Sequence, residues 1–275
     1  MIPASATACG ALACLSFPAP LDAFRYVLAH EPRVLAIGEA HAQRANEGTG
    51  VASSTKRFTE ALLPELAGKA SGLVLELWLG EPKCGKVVEQ VREQQKPVTQ
   101  GQAKTNPNEL VALGDRAYAL GVRPFPLKPS CEDYAPIADA GDDAVLRMLE
   151  LIERLSEERM KALLRAPIDA GARPGLVVAY GGALHNDVAP APGKEGFSFG
   201  PAMVHATEGR YVELDLIVGD FVRDDGPWAA LPWTKTYLAT APTPRTLLYR
   251  LGPMSFVMIF PRAAATPDAG ARLKD

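Results

Sequence analysis

Val34-Leu35-Ala36-Ile37-Gly38-Glu39-Ala40-His41 runs four apolar residues straight into a Gly-Glu-Ala-His cluster. An unbroken apolar run without alternation reads as a strand buried on both faces of a parallel sheet. The polar cluster then falls at the carboxyl end of that strand, the edge at which open α/β sheets bind ligands. Gly38 is expected to let the backbone turn tightly there. Glu39 and His41 stand two apart, so in extended geometry both project to one side. A carboxylate and an imidazole aimed at one point suit a metal-ligand pair or an acid–base pair.

Leu176-Val177-Val178-Ala179-Tyr180-Gly181-Gly182-Ala183-Leu184-His185-Asn186-Asp187 repeats the design, with an apolar strand, a glycine turn and a histidine three residues after Gly182. Between the two, Gly72-Leu73-Val74-Leu75-Glu76-Leu77-Trp78-Leu79 is a further buried-strand pattern with one charge inside it. A lone carboxylate in an apolar strand is costly unless it is paired or bound to a cation. Three strands thus deliver Glu39, His41, Glu76 and His185 to one sheet edge. Each has a structural explanation alone: a Glu39–His41 pair satisfying itself, a core salt bridge at Glu76, turn chemistry at His185-Asn186. Together they use half of the chain's 4 histidines at three strand ends, and that clustering favours a functional site.

The paired Gly-x-x-His motifs, Gly38 to His41 and Gly182 to His185, with a strand-borne glutamate between them, resemble the Tiki/TraB/ChaN/erythromycin-esterase superfamily over roughly 34–187. The local wording is most similar to the ChaN-like, haem-binding-uptake branch. The resemblance implies a mainly parallel α/β sheet. From the Tiki-like members it implies metal-dependent hydrolysis of an amide or ester. There His41, His185 and one of Glu39 or Glu76 would hold zinc, manganese or cobalt while the other carboxylate serves as base. From the esterase-like members it implies water activated by His and Glu without metal. From the ChaN-like branch it implies haem carriage in iron uptake by a lipoprotein that dimerises. Tyr180, Tyr134 and His205 are candidate axial ligands, and nothing in their spacing selects one. The resemblance carries over best at His41, Glu76 and His185.

The 275 residues fit one domain, and 47% hydrophobic content is enough for a sizeable core. A net charge of -3 gives no reason to expect nucleic acid or an anionic membrane as partner, and no apolar run is long enough for a membrane span. A small-molecule or peptide substrate is the expected partner. Residues 1–20 are small and apolar without a charge, like a signal remnant, but they lack a basic start. Export to the periplasm or a lipid anchor and residence in the cytoplasm are equally compatible with them. Cys84 and Cys131 are too isolated for a zinc knuckle, and their pairing would fit an exported protein.

Along the chain, residues 21–262 read as one α/β domain with a helical insert at about 85–170 and a frayed tail from 263. Helices are expected over Leu21–His30, after Ser53-Ser54-Thr55, over Val87–Gln95, from Asn106 as N-cap to Leu120, and over Ala144–Arg165. Gln94–Thr105 reads as loop and Pro136–Asp143 as an acidic link. Strands are expected at Val122–Leu127 and at Arg210–Val218, the latter with Glu213 and Asp215 on one polar face that either completes the site or marks a half-exposed edge strand. Thr246–Arg250 and Met254–Phe260 make a hairpin closing the sheet. Two motifs fail on context. Gly80 to Lys86 resembles a phosphate loop, but Val87 cannot ligate magnesium. Gly196-Phe197-Ser198-Phe199-Gly200 resembles a nucleophile elbow, but it lacks the flanking strand and a usable later histidine, so it is expected to wall the site.

Overall fold

All six residues of Val34–Glu39 are buried, as a strand covered on both faces requires. In the computed structural model, which describes residues 5–9, 12–166, 175–240 and 243–262, this strand is central to a nine-stranded sheet. In chain order the elements are β1 Ser5–Cys9, β2 Leu12–Phe17, α1 Pro20–Leu28, β3 Val34–Glu39, α2 Ser54–Arg57, β4 Ala70–Trp78, α3 Lys86–Thr99, α4 Asn106–Ala119, β5 Arg123–Leu127, α5 Cys131–Ala138, α6 Ala144–Arg165, β6 Leu176–Gly182, α7 Gly200–Ala206, β7 Tyr211–Val218, α8 Thr234–Ala239, β8 Thr246–Gly252 and β9 Ser255–Phe260. Helix α2 runs on as a π turn, Phe58–Leu62, and a 3-10 turn, Leu63–Leu66.

The sheet order is β1-β2-β8-β9-β7-β3-β6-β4-β5. The strands from β9 to β5 are all parallel, while β8, β2 and β1 extend the sheet antiparallel. From β3 the chain passes through α2 to β4 on one side. From the adjacent β6 it passes through α7 to β7 on the other. Because β4 lies beyond β6 and β7 beyond β3, these connections cross on opposite faces of the sheet. Loops that leave neighbouring strands for opposite faces leave a crevice at their carboxyl ends, the usual ligand site of such sheets. Glu39 and Gly182 are register partners at that point.

Both faces of the parallel region are covered, which is why β3 and β6 run apolar without polar alternation. Phe24 and Val27 of α1, Phe58 and Leu62 after α2, and Leu113 and Ala117 of α4 pack on Leu35, Ile37, Leu75 and Tyr180. Ile152 and Met160 of α6 and Met203 of α7 pack on Val34, Ala36, Val74 and Ala179 of the other face. Burying one such aliphatic side chain contributes about 1.5–3 kcal/mol, so truncating Leu35 or Ile37 is expected to cost several kcal/mol. Helices α3, α5 and α6 pack on one another around Val91, Tyr134, Ile137 and Met148. They form a helical lobe, joined to the loop after β4 by a disulfide from Cys84 to Cys131 with a Cα–Cα distance of 5.1 Å. Helix α4 and strand β5, which lie within the 85–170 stretch, belong to the main sheet and not to this lobe. At the β5 edge, Pro124 and Pro126 remove two amide donors, which blunts further strand pairing.

Several readings of the sequence are corrected. Gly38 is no turn, because β3 stays extended through Glu39, and Gly181-Gly182 likewise end β6. Strand β7 is no half-exposed edge, since it lies between β3 and β9 with Glu213 4% exposed. The β8–β9 hairpin does not close the sheet, because residues 12–17 of the small-residue N-terminal stretch pair with β8 as β2. Helix α3 runs to Thr99 through Pro97, so half of the expected loop is helical. Thr105, not Asn106, is the N-cap of α4, and Asn106 Nδ2 donates to the Ala42 carbonyl instead. A Ser130–Asp133 capping box starts α5, which takes in the head of the expected acidic link. The expected tail from 263 and most of the return at 167–174 lie outside the described residues. Among the described residues no helix is long and apolar enough to cross a membrane.

Candidate functional site

Glu39, His41, Glu76 and His185 do meet, in the crevice beyond β3, β6 and β4. His41 Nδ1 and Glu39 Oε1 are 2.9 Å apart. The other oxygen of Glu39 accepts from Thr55 Oγ1 at 2.9 Å and from the Tyr180 hydroxyl at 3.2 Å. Glu39 is therefore fixed at both oxygens and only 4% exposed. His185 is anchored differently. Its Nδ1 lies 2.7 Å from the Phe197 carbonyl, which can only accept, so Nδ1 carries hydrogen and Nε2 is turned the other way. His41 Nε2 and His185 Nε2 each lie 3.9 Å from the same atom, Glu76 Oε1. Glu76 Oε2 is held by the Gly182 amide at 2.6 Å.

Two glycines make this packing feasible. A Cβ on Gly181 would stand 2.4 Å from Glu76 Oε2, and one on Gly38 would stand 2.4 Å from Asp215 Oδ1 and 2.6 Å from Asn186 Oδ1. These glycines serve close approach of side chains to the sheet, a role independent of turn geometry.

The electrostatics follow from burial against pairing. Burial works against a charged His41, but the hydrogen bond with Glu39 and the carboxylate of Glu76 outweigh it and raise its pKa well above the ordinary imidazole value. Burial likewise opposes ionisation of Glu76, but the charge of His185, then His41 and the Gly182 amide, bring its carboxyl down to about 2. Tyr180 is pushed well up by burial and by the Glu39 charge, so its phenol stays a donor. Beneath His185, burial and the nearby Asp215 push Glu213 up to about 8, and burial raises Asp215 to about 7 despite the hydrogen bond from Asn186.

Sequence reasoning found the four ionisable groups and missed what holds them. Thr55 reads as a cap residue, yet Ser53 is the cap and Thr55 braces Glu39. Tyr180, considered as a haem ligand, is 2% exposed, stacks on Phe58 with ring centroids 5.0 Å apart and points its hydroxyl at Glu39. Tyr134 is equally buried, within the helical lobe, and His205 lies exposed on α7. Ser198 of the elbow-like motif is 5% exposed and donates to the carbonyls of His185 and Asp187, so the stretch braces His185, in line with a wall. The i, i+2 spacing of Glu213 and Asp215 on an interior strand was a signal for the buried acids below the site.

Toward solvent, His41 lines a cleft of about 600 Å³ between the loop after β3, the α3–α4 connection and the loop after β7. On the inner side a cavity of about 10 Å³ touches Glu76, His185 and Asn186. That is near the size that holds one water. Two imidazole nitrogens and a carboxylate oxygen are donors suited to a divalent cation, and histidines that ligate metals commonly give Nδ1–H to a carboxylate or carbonyl, as both do here. The 3.9 Å separations exceed the roughly 3.4 Å edge of a tetrahedral set, so the atoms would have to draw together. A tighter group of metal-ligand type among the described residues is Glu81, Cys84 and Cys131, but its sulfurs are joined in the disulfide.

No family model and no curated protein matches this sequence. The crystal structure of a protein from Bacillus cereus aligns with 90% of this chain and 93% of its own length, at 13% identity and a TM-score of 0.37.

Proposed function

We propose that the protein is a hydrolase of a carboxylic ester or amide, working through His41, Glu76 and His185 with Glu39 behind His41. The observation that carries this reading is the convergence of two back-anchored imidazoles on one carboxylate oxygen, at 3.9 Å each. Their different anchors, a carboxylate behind His41 and a main-chain carbonyl behind His185, suggest different roles. His41, flanked by Glu39 and Glu76, is kept as imidazolium and acts as acid. His185, with Nδ1 tied to the Phe197 carbonyl, turns Nε2 to the site and acts as base.

In this scheme His185 Nε2 takes one proton from water as the water oxygen bonds to the substrate carbonyl carbon. The tetrahedral intermediate collapses, the bond to the alcohol or amine breaks, and the leaving atom takes the proton of His41 Nε2. One proton then passes from His185 to His41, and Glu76, close to both, relays it. Acid–base steps of this kind are worth about 10²–10⁴ in rate. The resemblance to the esterase-like members of the superfamily favours the same chemistry.

A second reading keeps the residues and adds a divalent metal held by His41, His185 and Glu76, favoured by the anchoring of both Nδ1 atoms. When bound, such a metal supplies Lewis acidity to a water or a carbonyl. Haem carriage has less support, since Tyr134 and Tyr180 are buried away from the cleft lining.

The test is turnover of a panel of chromogenic esters and anilides by wild type and His185→Ala, with metal content measured in both. Turnover that falls at least 100-fold in the variant while circular dichroism is unchanged is the expected result. Near-stoichiometric zinc, manganese or cobalt lost in the variant selects the metal version. No turnover of any panel member, with a Soret band on haem addition, would overturn the reading in favour of a carrier.

A further inference from the structure

The 600 Å³ cleft that begins at His41 lies within the range of small-molecule sites and is held open by a pinned wall. Gln43 donates to the His41 carbonyl at 2.6 Å, and Ala42 accepts from the Ala103 amide at 2.7 Å and from Asn106 at 3.0 Å, which fixes the loop after β3 against 101–106. The loop after β7 gives the cleft an aromatic side with Phe221 and Trp228, and Val98 of α3 adds an apolar contact. Trp228 stands edge-on to Trp233 at 5.9 Å, and Trp233 is fully buried, so the Trp228 ring is seated on the core and not loose in a loop. The lining also includes the uncharged amides of Asn46 and Gln102. Charge is balanced at the rim, where Arg223 and Asp225 both line the opening. Outside the lining, the carboxylates of Glu39 and Glu76 stand beside His41, at 2.9 Å from its Nδ1 and 3.9 Å from its Nε2.

We infer that this cleft binds small neutral molecules carrying a flat aromatic group, the ring on Trp228 and Phe221 and an uncharged carbonyl group toward His41. Aromatic rings give the pocket large contact area and favour stacked or edge-on partners. The amides read polar but uncharged substituents. The two carboxylates beside His41 outnumber its one positive charge, so an anion placed there is disfavoured, whereas an ester or amide carries no charge to repel. The inference rests on the hydrolase reading for the place of the scissile carbonyl. That arrangement selects the substrate over its acid product, which is expelled once formed.

The experiment uses two probes of one shape, the substrate-like 1-naphthylacetamide, with its intactness after each titration checked by chromatography, and the free acid 1-naphthaleneacetate, titrated by calorimetry into wild type, Trp228→Ala, Trp228→Phe and Glu76→Gln. The amide is expected to bind at least tenfold more tightly than the acid in wild type. Trp228→Ala should weaken amide binding at least tenfold, while Trp228→Phe, which keeps a ring against Trp233, should retain most of it. Glu76→Gln should narrow the gap between amide and acid. Equal or tighter binding of the acid, no binding of either probe, or amide binding unmoved by Trp228→Ala would overturn the inference. Amide binding with the expected pattern in a protein that hydrolyses no ester would leave the cleft standing and remove the hydrolase reading.

Discussion

The two Gly-x-x-His units look alike as strings and differ as structures. His41 is backed by a carboxylate, retains 23% side-chain exposure and faces the cleft. His185 is backed by a main-chain carbonyl, is 4% exposed and is held under the 195–200 loop. A carboxylate behind an imidazole stabilises its cation, while a carbonyl orients the ring and fixes a hydrogen without adding charge. Duplicate motifs can therefore supply unlike chemistry, and the difference lies in which atom stands behind Nδ1.

The largest expected effect strikes both units at once. Glu76→Gln removes the charge that both Nε2 atoms face, and a fall of about 10²–10⁴ in kcat is expected, read by steady-state ester hydrolysis. Equal activity would mean that the convergence is incidental. Glu39→Gln strikes only the first unit. It should lower the pKa of His41, followed by imidazole NMR, and reduce kcat by about 10–100-fold, leaving the His185 ring signals in place.

The glycines separate the units by stability. Gly38→Ala drives a Cβ into Asp215 and Asn186 and is expected to cost about 1–3 kcal/mol in denaturant unfolding. Gly182→Ala, whose Cβ would find nothing nearer than His41 Nε2 at 3.4 Å, should cost well under half as much. A similar loss at both would contradict the different roles given to the two Gly-x-x-His glycines.

The smallest effect concerns the acids beneath the second unit. Glu213 is raised from 4.5 to about 8 in the folded protein, so the native state holds more protons than the unfolded chain between those values. Stability must then fall as pH rises from about 4.5 to 8. Glu213→Gln, which keeps an acceptor for the Val188 amide, should flatten that decline. Glu76 has the opposite sign, since its lowered carboxyl adds stability above 4.5 that is lost as pH falls toward about 2.

Much of this was legible before the fold. Apolar runs into polar ends placed β3, β4 and β6, and the long amphipathic pattern of Ala144–Arg165 matches α6 to the residue. The four ionisable groups follow from the same runs, because strand ends in a parallel sheet share an edge. What was hidden depends on partners distant in sequence. Thr55 looks like any cap residue until Glu39 lies beside it, and Gly38 looks like a turn until Asn186 and Asp215 fill the space of its missing Cβ. The residues of β2 are small and uncharged, like a targeting segment, and only pairing with β8 makes them strand. Glu213 and Asp215 looked solvent-facing because alternation cannot tell an exposed face from a buried polar network.

The most direct test of the central claim, that the two imidazoles act through Glu76 as one unit, is a double-mutant cycle in kcat/KM with His41→Ala, His185→Ala and the pair combined. Residues that act as a unit are strongly non-additive. The account predicts that each single variant loses nearly as much as the double, with all three still folded by circular dichroism. Losses that multiply, or one histidine whose removal leaves kcat/KM unchanged, would contradict it.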